Sequence, residues 1–172
     1  DASWYNRALL VGDASHSGLS TQMVNRYIDE LSMQNGFENN IQAYSGSFVN
    51  SISNGINSGV SFFNYRGYLN MSGWDNTDTD NLSNGWKLPF VTILTCGTGG
   101  FDSNGGDCRS EAFLKAGSFA VPKGGIAAVG TATSSTHTGF NNCVNGGIYH
   151  GIFSDKLFYA GAALERGRLN LN

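Results

Sequence analysis

Phe90-Val-Thr-Ile-Leu-Thr-Cys96-Gly-Thr-Gly-Gly100 is the stretch on which the fold turns. A run this apolar and β-branched reads as a strand buried on both faces, the pattern of a parallel sheet covered by helices. It ends on a cysteine and opens into glycines. Ligands of an open α/β sheet gather outside the carboxyl ends of its strands, so the sequence puts a polarisable nucleophile where such sheets keep their chemistry. The preceding apolar run, Val60-Ser-Phe-Phe-Asn-Tyr65-Arg-Gly67-Tyr68, finishes in the same way.

Outward from this pair, strands and helices alternate. Ala8 to Gly12 and Ile41 to Tyr44 are further strands, and Gly125 to Gly130 is a fifth. Thr21 to Met33 carries apolar residues at Met23, Val24, Tyr27, Ile28 and Leu31, a helical spacing, with Ser20 placed as its N-cap. Ser47 to Asn57 puts Phe48, Ile52 and Ile56 on one helical face, and Ser110 to Ala116 is a short helix. Val144 to Phe153 and Leu157 to Arg166 read as helices despite their glycines. Gly67 to Lys87 reads as a long polar loop. Alternation of this kind predicts an α/β fold with a mostly parallel central sheet and helices on both faces.

The 172 residues suit one domain with its own core. Only 13% are charged and the net charge is -3, so no basic stripe exists to meet phosphates, and nucleic acid is excluded as a partner. No apolar stretch approaches the roughly 20 residues that span a bilayer. The opening at Asp1-Ala-Ser-Trp4 and the end at Leu169-Asn-Leu-Asn172 read as those of a piece of a longer protein. Low charge with abundant Asn and Thr suits a secreted or cell-surface setting.

A cysteine nucleophile needs a lowered pKa, donors for an oxyanion and room for a substrate. Glycines beyond Cys96 permit close approach and expose amide groups. The competing reading is a buried cysteine packed as a small hydrophobe. Asn64-Tyr-Arg-Gly-Tyr68, Gly73-Trp74, the run from Leu88 to Phe101, Cys108-Arg-Ser-Glu-Ala-Phe113 and Gly125-Ile-Ala-Ala-Val-Gly-Thr-Ala-Thr133 together resemble the catalytic subdomain of gingipain-type cysteine peptidases, from Ala8 to about Gly167. The resemblance implies a caspase-like fold, a single subdomain over 1–172, and Cys96 as the nucleophile. It also implies that the base is the histidine of an Asn-Tyr-x-Gly-His segment, and here that position is Tyr68. Phenols titrate near pH 10, so a tyrosine is a poor base at neutral pH.

Other histidines then become candidates. His137 lies in Thr131-Ala-Thr-Ser-Ser-Thr-His137, the counterpart of a pocket-lining segment in the resembled family. His16 follows the first strand on the same edge. His150, inside a glycine-rich helix, reads as structural. Gly67, Tyr68 and Cys96 offer amides for an oxyanion. Two functions stay open: a cysteine endopeptidase acting on a protein or peptide substrate, or an inactive relative serving as a binding or structural module of a surface assembly. Remaining segments of its own precursor are expected partners.

Among the three cysteines, a Cys108–Cys143 bridge would leave Cys96 free, whereas a Cys96–Cys108 bridge would block it. Asp75, Asp78 and Asp80 in one loop, with Asp102 and Asp107 in another, present oxygens that suit Ca2+, and the resembled family binds calcium. The competing reading for both loops is solvated polar surface. Tyr65, Tyr68, Trp74 and Trp86 either wall a groove or pack the long loop, and packing is the expectation for Trp86.

Overall fold

A computed structural model describes residues 2–102 and 105–171. Five strands form one sheet: β1 (Ala8–Gly12), β2 (Ile41–Ala43), β3 (Phe62–Arg66), β4 (Phe90–Ile93) and β5 (Ala127–Gly130). Their order is β2-β1-β3-β4-β5, and every pair is parallel. The helices are α1 (Ser20–Met33), α2 (Phe48–Ser58), α3 (Asn76–Asp80), α4 (Arg109–Lys115), α5 (Thr138–Phe153) and α6 (Ala160–Leu169).

The strand period of two sorts the core into two layers. Leu9, Val11, Phe63, Tyr65, Val91 and Ile93 face one side, against Ile52 and Ile56 of α2 and Phe113 of α4. Their chain neighbours Ala8, Leu10, Phe62 and Phe90 face the other, against Ile28 of α1, Ile148, Tyr149 and Ile152 of α5, and Ala163 of α6. Helices therefore cover both faces, as the alternating sequence pattern predicts.

Several boundaries differ from the sequence reading. α5 starts at Thr138 rather than Val144, so Cys143 is helical. Its glycines hide the helix but serve packing: a Cβ on Gly147 would lie 2.8 Å from the Gly167 Cα of α6, and one on Gly167 would lie 2.6 Å from the Val144 carbonyl. The two helices cross at this pair because neither residue has a side chain. Leu19, not Ser20, holds the cap position of α1, and Ser20 is its first residue. The long loop contains the short helix α3. Trp74 is buried, stacked on Phe113 with Nε1 donating to the Thr79 hydroxyl. Trp86, by contrast, is 61% exposed and touches Phe119 at a ring-centroid distance of 5.5 Å, so it does not pack onto the sheet.

A fully buried polar cluster joins the sheet to α1 and α5. Asn64 on β3 donates to Asn25 of α1 (2.8 Å) and exchanges hydrogen bonds with Asn145 of α5 (3.1 and 2.7 Å). The Thr92 hydroxyl of β4 donates to the Asn64 carbonyl oxygen (2.6 Å) and meets the Tyr149 hydroxyl (2.7 Å). Burial pushes the Tyr149 phenol up, which keeps it neutral. Such groups are costly when left unpaired. Asn64→Ala strands donors or acceptors on Asn25, Asn145 and Thr92 at once. It should lower unfolding free energy by about 2–3 kcal/mol in urea titrations; a loss under about 0.5 kcal/mol would show the cluster to be slack.

Candidate active site

The carboxyl ends of β1, β3, β4 and β5 meet at one edge, and the amino terminus of α5 is brought to the same place. Two hydrogen bonds stitch the turn after β4 to the segment after β5: the Gly97 amide donates to the Thr133 carbonyl (3.1 Å) and the Gly99 amide to the Thr131 carbonyl (3.0 Å). The buried Thr98 hydroxyl donates back to the Thr95 carbonyl (2.8 Å) and receives the Thr131 amide (3.2 Å). Gly99 and Gly130 lie backbone against backbone, since a Cβ on Gly99 would come within 2.7 Å of the Gly130 carbonyl carbon. The glycines past Cys96 thus admit the protein's own segment after β5. Their amides at 97 and 99, however, are consumed in this stitching and are not spare oxyanion donors.

On its other side Cys96 is flanked by the segment following Gly67. Leu69 pairs with Cys96 as a parallel bridge, and the Asn70 amide donates to the Cys96 carbonyl (3.2 Å). Cys96 is 8% exposed and lines a cleft of about 530 Å³ with Tyr68, Leu69, Ser134, Ser135, Thr136 and His137. A smaller cavity of about 240 Å³, lined by Phe62, Phe90, Phe158 and Tyr159 among others, lies at the opposite edge of the strands. It is lined by apolar residues and a phenol and offers no nucleophile.

The sulfur is 3.1 Å from the Thr136 hydroxyl and 3.8 Å from the Thr136 carbonyl oxygen. Burial pushes the thiol up, but hydrogen bonds from the Thr136 hydroxyl and from the amides of Thr136, Ser135 and Cys96 itself outweigh it, and the net shift is downward. Donors trained on the sulfur favour the thiolate. The adjoining amino terminus of the sixteen-residue helix α5 adds positive potential.

Tyr68 occupies the cleft wall, 58% exposed, with its ring 5.7 Å from that of His16. Gly67 is buried, and its carbonyl accepts from the Ser17 hydroxyl (2.9 Å). His137 also lines the cleft but is the N-cap of α5: Nδ1 accepts the Gly139 amide (3.0 Å). Neutral imidazole with Nδ1 accepting carries its proton on Nε2, so this ring offers the cleft a donor rather than a base. His150 pairs its Nδ1 with the Tyr27 hydroxyl (2.8 Å) far along α5, a structural role.

All three cysteines are free, so neither expected bridge forms. Cys143 lies exposed on α5. Cys108 is buried at the cap of α4, its amide donating to Glu111 (3.0 Å). The acidic loops touch through Asn76, whose Nδ2 donates to the Asp107 carbonyl (2.7 Å), while their carboxylates are otherwise engaged. Asp75 and Asp78 form a capping box at α3, and Asp107 pairs with Lys115 at 2.6 Å. The Asp80 carbonyl accepts from Lys123. Asp102 adjoins residues 103 and 104, which lie outside the described residues and include Asn104 of the expected loop. Among the described residues no three acidic, cysteine or histidine side chains gather to hold a metal. The carboxylates of Asp75 and Asp78 serve the cap of α3, and that of Asp107 serves an ion pair.

Three functional residues escaped the sequence reading as such. Thr136 is one; its only signal was a polar residue ahead of a helix. Asp13, at the end of β1, accepts from the Ser15 amide (2.9 Å) and hydroxyl (2.6 Å) and from the Ser72 hydroxyl. Burial raises its pKa, but these bonds and the nearby His16 pull it below the usual carboxylate value. Because Ser72 also donates its amide to, and accepts from, the buried Tyr65 hydroxyl, Asp13 ties the loop after β3 to the sheet. Arg66 is the third: it is wholly buried, with Nε donating to Asn142 Oδ1 (2.8 Å) and Nη2 to the Thr138 carbonyl (3.3 Å). An arginine closing an apolar run is an anomaly that the sequence does display.

Comparison with known proteins adds the following. The chain matches the sequence profile of peptidase family C25 over residues 1–172. It is 26% identical over 144 residues to gingipain R2 of Porphyromonas gingivalis, across 77% of this chain and 19% of that protein. The crystal structure of the Arg-specific cysteine proteinase gingipain R superposes with a TM-score of 0.85 at 22% identity, covering 99% of this chain and 43% of that one. The complex of Porphyromonas gingivalis RgpB pro- and mature domains gives 0.86 at 21% identity, covering 99% and 44%. These likenesses establish the fold, the caspase-like one that the sequence resemblance implies. The chain spans about a fifth of the curated relative and under half of the solved chains.

Thr136→Val keeps the shape of the side chain and deletes the hydroxyl against the sulfur. One hydrogen bond to a charged group is worth roughly 1.5–3 kcal/mol. Alkylation of Cys96 by iodoacetamide near neutral pH should therefore slow about tenfold or more, while an unchanged rate would remove Thr136 from the site.

Proposed function

The chain belongs to peptidase family C25, and on that premise we propose that it is the catalytic subdomain of a cysteine endopeptidase whose nucleophile is Cys96. One observation carries this reading: an unbridged thiol on the wall of a cleft, with the Thr136 hydroxyl 3.1 Å from its sulfur. The thiol loses its proton to water before substrate arrives. The sulfur then attacks a peptide carbonyl, and its lone pair forms the S–C bond while the carbonyl oxygen becomes an oxyanion. Tyr68 and Nε2–H of His137 stand in the cleft as side-chain donors for that oxygen or for substrate carbonyls, beside the amides of Gly67 and Tyr68. Collapse expels the amine, protonated by water, and a second water hydrolyses the thioester.

A positioned general acid–base is worth about 10²–10⁴ in rate. With tyrosine at 68 and the Nδ1 of His137 committed to its helix, neither supplies that factor and the enzyme is slow; His16, its ring 5.7 Å from that of Tyr68, is the remaining imidazole at this edge. The substrate is a protein or peptide chain. Segments of its own precursor are included, in keeping with a structural neighbour that is a complex of pro- and mature domains. The setting is secreted or cell-surface; among the described residues no helix is long and apolar enough to cross a membrane.

Tyr68 itself favours a second reading, an inactive relative that binds peptide in the same cleft. Peptide hydrolysis by the full chain separates the two. On the first reading turnover is slow, disappears in Cys96→Ala, and rises by up to about 10²-fold in Tyr68→His. Hydrolysis that survives Cys96→Ala would refute the nucleophile. Tight peptide binding with no Cys96-dependent turnover would establish the second reading.

A further inference from the structure

Arg66 carries a charge that the fold leaves uncompensated. Its side chain is wholly inside the protein, and its hydrogen-bond acceptors, Asn142 Oδ1 and the Thr138 carbonyl, are both neutral. Nη1 is buried without a partner, and among the described residues no carboxylate forms an ion pair with the guanidinium. A lone buried cation is expensive, and proteins usually keep one only beside an anion. Asp13, on the neighbouring strand end, is not that anion, since its oxygens are taken by Ser15 and Ser72.

An ionisable thiol lies at the neighbouring strand end. Arg66 closes β3 next to β4, whose end carries Cys96. It grips Thr138 and Asn142 of α5, while Asn141, one residue earlier, donates to the Thr136 hydroxyl (2.8 Å) that meets the sulfur. The ionisable groups whose negative charge would favour that of Arg66 are the Tyr65 hydroxyl and the Cys96 sulfur. Since Tyr65 is buried and held above its ordinary phenol value, it stays neutral, which leaves the sulfur. Burial pulls the guanidinium down to about 10, so it remains a cation at neutral pH.

We propose that Arg66 is the positioning cation of this site, a permanent charge that holds Cys96 as thiolate in the role an imidazolium fills in a cysteine–histidine pair. This rests on Cys96 being the reactive thiol, but it concerns ionisation and not peptide cleavage. The other titratable groups facing the sulfur are Tyr68, from the loop after β3, and His137, from the cap of α5; His16 and Asp13 stand behind Tyr68 at the end of β1. None of these offers a buried fixed positive charge.

The test is the pH profile of iodoacetamide alkylation at Cys96, read by peptide mass spectrometry in a Cys143→Ser background so that the exposed thiol does not compete. Arg66→Gln should move the profile to higher pH and slow alkylation at about pH 6 by roughly tenfold or more. Arg66→Lys should keep most of the original profile. Asn142→Asp retains the arginine but sets a carboxylate on its Nε, and it should shift the profile in the same direction as Arg66→Gln. An unmoved profile in Arg66→Gln, with cooperative melting showing it folded, overturns the proposal. If that variant does not fold, an unmoved profile in Asn142→Asp does so. Arg66→Lys behaving like Arg66→Gln would also overturn it, because the effect would then follow shape and not charge. These shifts together with no Cys96-dependent peptide turnover in the unaltered protein would instead count against the peptidase reading alone.

Discussion

The rest of the structure depends on one polar stripe. Thr138, Asn142, Asn145 and Tyr149 recur along α5 at intervals of four, three and four residues, which puts them on a single face of the helix. Each is met by the sheet: Thr138 and Asn142 by Arg66, Asn145 by Asn64, and Tyr149 by Thr92. Apolar contacts alone would allow α5 to slide or turn over the sheet at little cost. Directional bonds between buried groups do not, because any other register strands them away from water. The stripe therefore fixes where the helix begins, and that in turn sets Thr136 against the sulfur of Cys96.

This arrangement changes how the thiol is activated. A cysteine–histidine pair supplies charge and proton transfer through one ring. Here the two tasks are separated. On the reading proposed above, charge stabilisation comes from fixed parts: the Thr136 hydroxyl, the α5 terminus and the Arg66 guanidinium. Proton transfer is left to water in an open cleft. A site built this way has a standing nucleophile but no shuttle, which lowers rate more than it lowers reactivity towards an electrophile.

Much of this was legible in the residues, and the reasons for the rest are physical. Strands buried on both faces show as unbroken apolar runs, so the sheet and the place of Cys96 at its edge could be read from Phe90 to Gly100. α5 could not be delimited, because Gly139, Gly146, Gly147 and Gly151 weaken the helical signal. At least one of them, Gly147, is there to let α6 approach, a tertiary demand no local pattern shows. The Cys108–Cys143 bridge does not form for the same reason: α5 begins before Cys143 and carries it on the helix's outer face. The aspartates of 75–80 looked like a cation loop, since the sequence does not say that Asp75 and Asp78 cap a helix. His137 was placed correctly at the cleft, yet its Nδ1 is spent on the Gly139 amide, a fact only the helix cap reveals. Arg66 stands out within the motif as a charge closing an apolar run, but nothing local shows that its guanidinium lacks a counter-ion.

The most direct measurement is the apparent pKa of Cys96 in the unaltered protein, taken from alkylation rate against pH with the modified peptide identified. The account predicts a midpoint clearly below the ordinary thiol value of about 8.5. A midpoint at or above that value, or a sulfur that does not react until the protein unfolds, would contradict it.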